Sequence, residues 1–129
     1  MCVCKCSQTM DEYIDRLVQV AETLSQMMSE NLGLEKDYIK KAFSGSNNNG
    51  PAMGTKVAKY PECPYPELVR GLREHTDAGG IILLLQDDKI PGLEFFKDGK
   101  WIEIPPSKNN AIFVNTGICV IVDNSSMQH

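Results

Sequence analysis

The sequence predicts an α+β fold, mainly β, with helices in its first part and a sandwich or jelly roll of short strands in its second. Apolar residues recur at helical spacing up to about residue 30, which predicts an amphipathic helix. A small-polar segment at residues 44–51, SGSNNNGP, follows without an apolar anchor and predicts a loop. From Met53 onward, short apolar runs are separated by Gly, Pro and Asp turns at close spacing, a pattern typical of such strands.

The helical part contains two predicted helices. Thr9 and Glu12 match a capping box, so we expect the first helix to cover about Met10–Glu30, with Thr9 as its N-cap. Gly33 can adopt the left-handed conformation that ends a helix, and Asn31-Leu32-Gly33 is therefore the expected stop. A short second helix is expected over Glu35–Phe43.

The β part contains six predicted strands. Asp98-Gly99 is a strong signal for a tight hairpin between two of them. Prolines 61, 64 and 66 prevent regular pairing after the first strand, so that stretch is expected to be extended and looped. The predicted strands are Lys56–Tyr60, Ile81–Gln86, Leu93–Phe96, Trp101–Ile104, Ala111–Asn115 and Ile118–Val122.

Composition and charge limit the partners. A net charge of -4 over 129 residues offers no basic patch, which argues against nucleic acid and against an anionic membrane surface. No apolar run approaches the ~20 residues of a membrane-spanning helix. The N-terminus lacks the apolar region of a secretory signal, so we expect a cytoplasmic protein with reduced thiols. Cys2-x-Cys4-x-Cys6 is either a soft-metal clip or part of a frayed terminus, and we favour the terminus because no second Cys/His pair lies nearby.

His75-Thr76-Asp77 is the sharpest chemical feature. In an extended segment, residues i and i+2 point to the same face, so an imidazole and a carboxylate can approach one metal ion. Two histidines and one carboxylate on one face form the metal site of non-haem Fe(II) oxygenases. The alternative is a surface turn in which Asp77 begins a Gly-Gly bend, and the triplet alone does not decide between the two.

Several motifs in the surrounding sequence keep a fixed mutual spacing. They are Gly54-Thr55-Lys56, Tyr60-Pro61-Glu62-Cys63-Pro64, Arg73 to Leu84, Gln86-Asp87-Asp88, Lys97 to Trp101, Pro105-Pro106 and Val114 to Gly117. Over about Met10 to Gly117 the chain closely resembles the 1-aminocyclopropane-1-carboxylate oxidases of the non-haem Fe(II)/2-oxoglutarate-dependent dioxygenase superfamily. The resemblance implies a partial double-stranded β-helix (jelly roll) with N-terminal helices outside it.

The resemblance also implies a set of site residues. His75 and Asp77 would be two Fe(II) ligands. Lys56 and Arg73 match basic catalytic residues that bind the substrate carboxylate, bicarbonate or ascorbate, and Tyr60 matches a cofactor-binding tyrosine of the same pocket. An ammonium and a fork-shaped guanidinium suit small carboxylates. The alternative for Lys56 and Arg73 is a solvated surface charge.

The implied reaction is oxidation of a small amino-acid substrate, 1-aminocyclopropane-1-carboxylate, by O2 to ethylene. Its implied cofactors are Fe(II), ascorbate as co-substrate and bicarbonate or CO2 as activator. Two other hypotheses stay open. One is a 2-oxoglutarate-dependent dioxygenase with another small-molecule substrate, and the other is a catalytically inactive interaction partner of related proteins.

The sequence departs from the family pattern after Gly117. The second histidine ligand and the Arg-x-Ser motif are expected beyond that point and are not found, and the other histidine, His129, stands among unmatched neighbours. We therefore expect a chain truncated at both ends and weakly active or inactive, divided into a divergent, disordered 1–9, a helical segment and loop at 10–52, a partial jelly-roll core at 53–117 and a divergent tail at 118–129. Incomplete sheets would leave Ile81, Leu83 and Leu85 under-covered and allow association through strand edges.

Overall fold

The computed structural model describes residues 3–44 and 51–117, and the side chains from Ser7 onward within them. The chain divides into two units, Met1–Asp77 and Ala78–His129. The helices α1 (Val3–Asn31) and α2 (Tyr38–Ser44) belong to the first unit. The antiparallel strands belong to the second unit and are β1 (Ile81–Leu84), β2 (Leu93–Lys97), β3 (Lys100–Ile104) and β4 (Phe113–Thr116).

The described residues contain more helix than strand, contrary to the expectation of a mainly β chain. The α+β class is found, but α1 alone has 29 residues, whereas each strand has four or five. The prediction of a mainly β chain is therefore wrong for the described residues. No helix in the described part of the chain is both long enough and apolar enough to cross a membrane.

The first helix begins earlier than predicted. It includes Val3 to Gln8, so Thr9 lies inside α1 and is not its N-cap, and the expectation of a disordered terminus is wrong from Val3 onward. The residues before Thr9 contain neither Gly nor Pro, and Ser and Thr cost only about 0.5 kcal/mol in a helix interior. The capping-box pattern was therefore not enough to stop the helix from continuing towards the N-terminus.

The end of α1 is as predicted. The helix ends at Asn31, and Gly33 adopts a φ of 71°, in the left-handed region that glycine enters without steric cost. The Gly33 N–H donates to the Glu30 carbonyl at 3.0 Å, and the Leu34 N–H donates to the Ser29 carbonyl at 2.9 Å. These two bonds form a Schellman motif, which satisfies carbonyls at the helix end and turns the chain towards α2.

The two helices meet through a buried serine and a buried isoleucine. Ser29 is fully buried and Ile39 is 5% exposed. The Ser29 hydroxyl donates to the Ser25 carbonyl at 2.8 Å and accepts the Ile39 N–H at 3.2 Å, so it satisfies a backbone donor in the first turn of α2. Lys40 and Glu22 add a half-exposed ion pair with N···O 3.0 Å across the same contact.

The segment between the helices and the strands contains no regular strand. The expected strand over Lys56–Tyr60 is wrong, because residues 51–65 have neither helical nor strand hydrogen bonding. A strand needs a ladder partner, and the prolines that follow remove donors from any such ladder. A short 3₁₀ turn, Pro66–Leu68, follows in the same segment.

The strands form two antiparallel pairs within the second unit. β1 pairs with β4 from Ile81↔Thr116 to Leu84↔Phe113, and β2 pairs with β3 through a two-residue turn. Asp98 and Gly99 in this turn have φ values of 52° and 77°, the left-handed values of a tight hairpin turn, so the predicted hairpin is confirmed. The expected strand Ile118–Val122 lies outside the described residues.

The apolar side chains of the strands are only partly buried. Phe95 of β2 stacks near Phe113 of β4, with ring centroids 5.3 Å apart, and this contact joins the two pairs. Leu85 is 51% exposed and Phe96 is 62% exposed. Among the described residues, the apolar side chain that is buried is Ile39, which lies in α2 and not in a strand. Each pair has two strands among the described residues, so each strand has an edge without a ladder partner there. Association through these edges stays a prediction.

The turn after β1 gives a pH-dependent prediction. The Asp87 carboxylate accepts the Ile90 N–H at 2.9 Å and the Lys89 N–H at 2.8 Å, and these two bonds lower the pKa of Asp87 below its ordinary value of 3.8. A lowered pKa in the folded state means that the turn is stabilised above the ordinary pKa and loses that stabilisation as the pH falls through the folded pKa. We expect the Lys89 and Ile90 amide protons to lose their protection against exchange as the pH falls below about 3.8.

The exchange of these two amides can be followed by NMR during an acid titration. Asp87→Asn keeps an acceptor oxygen but cannot titrate, so its exchange should stay constant over the same range after correction for intrinsic exchange. An equal acid response in the wild type and in Asp87→Asn would contradict the assignment to Asp87.

Candidate metal centre

His75 and Asp77 face each other on one side of an irregular segment. The distance between His75 Nε2 and Asp77 Oδ1 is 3.3 Å, and the two side chains are 51% and 37% exposed. The segment 73–78 is not a strand, yet the i, i+2 relation that places two side chains on the same face is maintained. The structure therefore brings together the two residues that the sequence predicted as metal ligands.

The orientation of the imidazole is fixed by its other nitrogen. His75 Nδ1 lies 2.8 Å from the Arg73 carbonyl oxygen, an atom that only accepts hydrogen bonds, so Nδ1 must carry a proton in this contact. The neutral ring then presents its lone pair at Nε2, the nitrogen that faces Asp77. Histidines that bind metal ions almost always donate their other ring N–H to a carbonyl or carboxylate in this manner.

The separation between Nε2 and Oδ1 fits two ligands of one ion. With metal bonds of about 2.1 Å, the two donor atoms would be about 3.0 Å apart at a 90° angle and about 3.4 Å apart at a tetrahedral angle. The observed 3.3 Å lies between these values. Without a metal ion, the same geometry suits an imidazolium N–H that donates to the carboxylate, so a metal ion and a proton would compete for the Nε2 lone pair.

The described residues supply two donors and not three. No group of three or more His, Cys, Asp and Glu within residues 3–44 and 51–117 is arranged to hold a metal ion. His129, the other histidine of the sequence, lies outside the described residues, and so do the side chains of the Cys2-x-Cys4-x-Cys6 motif. The pair would therefore leave several coordination positions to other ligands.

The other predicted site residues are exposed. Lys56 lies in the irregular stretch before Tyr60, and Tyr60 is 60% exposed. Arg73 contributes its main-chain carbonyl to the His75 contact, while its guanidinium belongs to an exposed side chain. The roles of Lys56, Tyr60 and Arg73 stay predictions.

Two elements of this region were not found from the sequence. One is the Arg73 carbonyl, because a main-chain acceptor has no sequence signature. The other is Gly71, at which an added Cβ would lie 3.1 Å from two ring carbons of Tyr60.

A concavity of about 320 Å³ on α1 shares no residue with the predicted site and is lined by Arg16, Gln19, Val20, Thr23 and Leu24.

The chain belongs to the 2OG-Fe(II) oxygenase superfamily, because the sequence model of that superfamily matches residues 49–129. The match includes the irregular segment with His75 and Asp77 as well as the four strands. It also continues through the residues after Gly117, which we expected to diverge. The helices and antiparallel strands described above therefore belong to a member of an Fe(II) oxygenase family. Membership of this family supports Fe(II) as the metal.

Comparison with individual proteins shows which members of the superfamily the chain resembles. The chain is 74% identical over 111 residues to 1-aminocyclopropane-1-carboxylate oxidase 1 of Arabidopsis thaliana, covering 86% of this chain and 35% of that protein. It is 58% identical over 108 residues to 1-aminocyclopropane-1-carboxylate oxidase 1 of Cucumis melo, covering 84% of this chain and 33% of that protein. The predicted resemblance to these oxidases is confirmed, and the chain spans about a third of the length of the curated relatives it matches.

A solved structure shows the same fold. The crystal structure of JOX2 in complex with 2OG, Fe and JA superposes with a TM-score of 0.68 at 37% sequence identity, covering 85% of this chain and 31% of that chain. The likeness supports the α+β assignment and the family.

Proposed function

We propose that this chain serves the oxidation of 1-aminocyclopropane-1-carboxylate by O2 to ethylene, with His75 and Asp77 as two ligands of an Fe(II) ion. The observation that carries the proposal is the geometry of the pair. Nε2 and Oδ1 are 3.3 Å apart while Nδ1 is occupied by a carbonyl. The identity of 74% to an Arabidopsis thaliana enzyme with this name supports the choice of substrate.

The residues of the pair have separate tasks. The Nδ1–H···O=C bond holds the His75 ring so that its Nε2 lone pair points towards Asp77, and the Asp77 carboxylate supplies the negative charge that an Fe(II) site requires. When bound, Fe(II) would supply open positions for substrate and O2 and would pass electrons to O2, while the substrate and ascorbate are the net electron donors. The chain's contribution is to hold two donors on one side and leave the opposite side open.

Arg73, Lys56 and Tyr60 are proposed to bind the small acids of the reaction. A guanidinium forms two parallel hydrogen bonds with a carboxylate, and an ammonium provides a compact positive charge. The substrate carboxylate, ascorbate and the bicarbonate activator are all anions of this kind. We also propose that the four strands belong to a double-stranded β-helix, which the likeness to JOX2 supports. A cytoplasmic location, without nucleic-acid or membrane partners, stays a prediction.

Two alternatives have specific support. The solved JOX2 structure contains 2OG, which favours a 2-oxoglutarate-dependent dioxygenase acting on another small molecule. The presence of two donors among the described residues favours an inactive partner that associates with intact relatives through its strand edges.

One experiment separates the three functions. The purified chain is incubated with Fe(II), ascorbate, bicarbonate and 1-aminocyclopropane-1-carboxylate, and ethylene is measured by gas chromatography. A parallel reaction with 2-oxoglutarate is assayed for succinate. Ethylene that is absent with His75→Ala supports the oxidase. Succinate without ethylene would replace it with the second function, and neither product, with retention of the chain on an immobilised full-length relative, would replace it with the third.

A further inference from the structure

Gly71 makes an unusual contact with Tyr60. A Cβ added to Gly71 would lie 3.1 Å from both Cδ1 and Cε1 of the Tyr60 ring, closer than an ordinary van der Waals contact. The backbone of Gly71 does not require glycine, because its φ lies outside the left-handed region that Gly33 and Gly99 occupy. By contrast, an added Cβ at Gly92 would meet open space. Gly71 is therefore needed for the space of its missing side chain and not for backbone freedom.

The contact joins two pieces of chain that are not joined by strand pairing. Tyr60 ends the stretch that contains Lys56, and Gly71 lies two residues before Arg73. The intervening segment 61–70 has three prolines and one 3₁₀ turn but no strand. The ring of Tyr60 thus closes a proline-rich loop onto the segment that continues to His75 and Asp77.

The contact also leaves most of the Tyr60 side chain available. Tyr60 is 60% exposed although its ring edge lies against Gly71, so the ring is anchored on one edge while much of its surface remains open to a ligand. A phenol hydroxyl can donate a hydrogen bond to a carboxylate. An anchored ring loses less conformational entropy when it binds such a ligand.

We infer that Gly71 is a positioning residue for carboxylate binding: its missing side chain leaves room for the ring of Tyr60 beside the stretch that leads to His75 and Asp77, and Tyr60 binds the substrate carboxylate there. The inference rests on the proposed function. An added methyl group has to push the exposed ring away by a few tenths of an ångström or more. Because losing a hydrogen bond to a charged group costs roughly tenfold or more in affinity, we expect Gly71→Ala to weaken carboxylate binding by roughly tenfold.

The test measures two affinities in each variant by calorimetry. The first is the affinity for Co(II), a spectroscopic substitute for Fe(II), and the second is the affinity of the Co(II)-loaded chain for 1-aminocyclopropane-1-carboxylate. Gly71→Ala should lower the second by roughly tenfold and leave the first unchanged, because the His75 hydrogen bond to Arg73 does not involve Gly71. Gly92→Ala is the matched control and should change neither affinity, since its added methyl group meets nothing.

A double variant shows whether the effect passes through Tyr60. Once Tyr60→Ala has removed the ring, Gly71→Ala should have no additional effect on carboxylate binding. Tyr60→Phe keeps the ring carbons that lie against Gly71 but lacks the hydroxyl, so it should weaken carboxylate binding and, like Tyr60→Ala, leave Gly71→Ala without an additional effect. Full additivity of Gly71→Ala with Tyr60→Ala would overturn the inference, as would equal behaviour of Gly71→Ala and Gly92→Ala. A wild-type chain that binds no Co(II) would instead overturn the proposed function, and this inference with it.

Discussion

His75→Ala is expected to lower the affinity of the chain for Fe(II) or Co(II) by more than about 100-fold. Loss of a residue that merely orients a metal ligand typically costs 10–100-fold, and this variant removes one of the two donors themselves. Asp77→Ala should have a comparable effect, because it removes the facing carboxylate 3.3 Å away. Anaerobic calorimetry with Fe(II), or absorption titration with Co(II), measures both variants.

His129→Ala is the matched control for this experiment. It removes the other histidine of the sequence and should leave the metal affinity unchanged if His75 is the ligand. A large loss with His129→Ala and little loss with His75→Ala would exclude the proposed centre.

Ile39→Ala is expected to destabilise the packing of α2 on α1 by about 2–5 kcal/mol, the usual range for truncating a buried isoleucine. Ile39 is 5% exposed, and its N–H is bound by the fully buried Ser29. The described part of the chain has little other buried apolar surface to compensate. We therefore expect the contact between the helices to be lost at a lower urea concentration, as measured by circular dichroism and by exchange of the Ile39 region amides.

Met27→Ala is the matched control for helix packing. Met27 lies on the same helix α1 and is 53% exposed, so its truncation should cost less than about 0.5 kcal/mol. Similar urea midpoints for Ile39→Ala and Met27→Ala would contradict the view that Ile39 and Ser29 hold the helices together.

The parts of the fold that were predicted correctly are those set by local chemistry. Gly33 ends α1 with a left-handed residue, and Asp98-Gly99 forms the tight hairpin, because few other sequences can adopt these conformations. The apolar run from Ile81 is a strand because it finds a partner in β4. For the two turns the requirement is contained within a few residues, whereas the strand at Ile81 also depends on its distant partner β4.

The parts that were predicted wrongly depend on distant residues or on competition between weak preferences. Lys56–Tyr60 has a strand-like composition but no ladder partner, and a strand is defined by its partner as much as by its residues. Thr9 offered a cap, but nothing before it prevented the helix from extending to Val3. A capping signal fixes a helix boundary only when continuation of the helix is unfavourable.

The candidate site also has a part that could be predicted from the sequence and a part that could not. The approach of His75 and Asp77 follows from the geometry of neighbouring residues, which is local, and it was predicted correctly. The positions of Lys56 and Tyr60 relative to that pair depend on how the proline-rich loop folds back, which the residue pattern cannot specify. Gly71 reveals part of that arrangement only once the ring of Tyr60 is seen against it.

In the proposed metal centre, His75 binds the ion through Nε2 while Nδ1 keeps its proton for the Arg73 carbonyl. The most direct measurement is ¹⁵N NMR of the histidine-labelled chain titrated with Zn(II), a diamagnetic substitute for Fe(II). We expect the His75 Nε2 resonance to move to a metal-bound position while Nδ1 retains the resonance of a protonated nitrogen. An unchanged His75 spectrum at saturating Zn(II), or metal binding through Nδ1, would contradict the proposed centre.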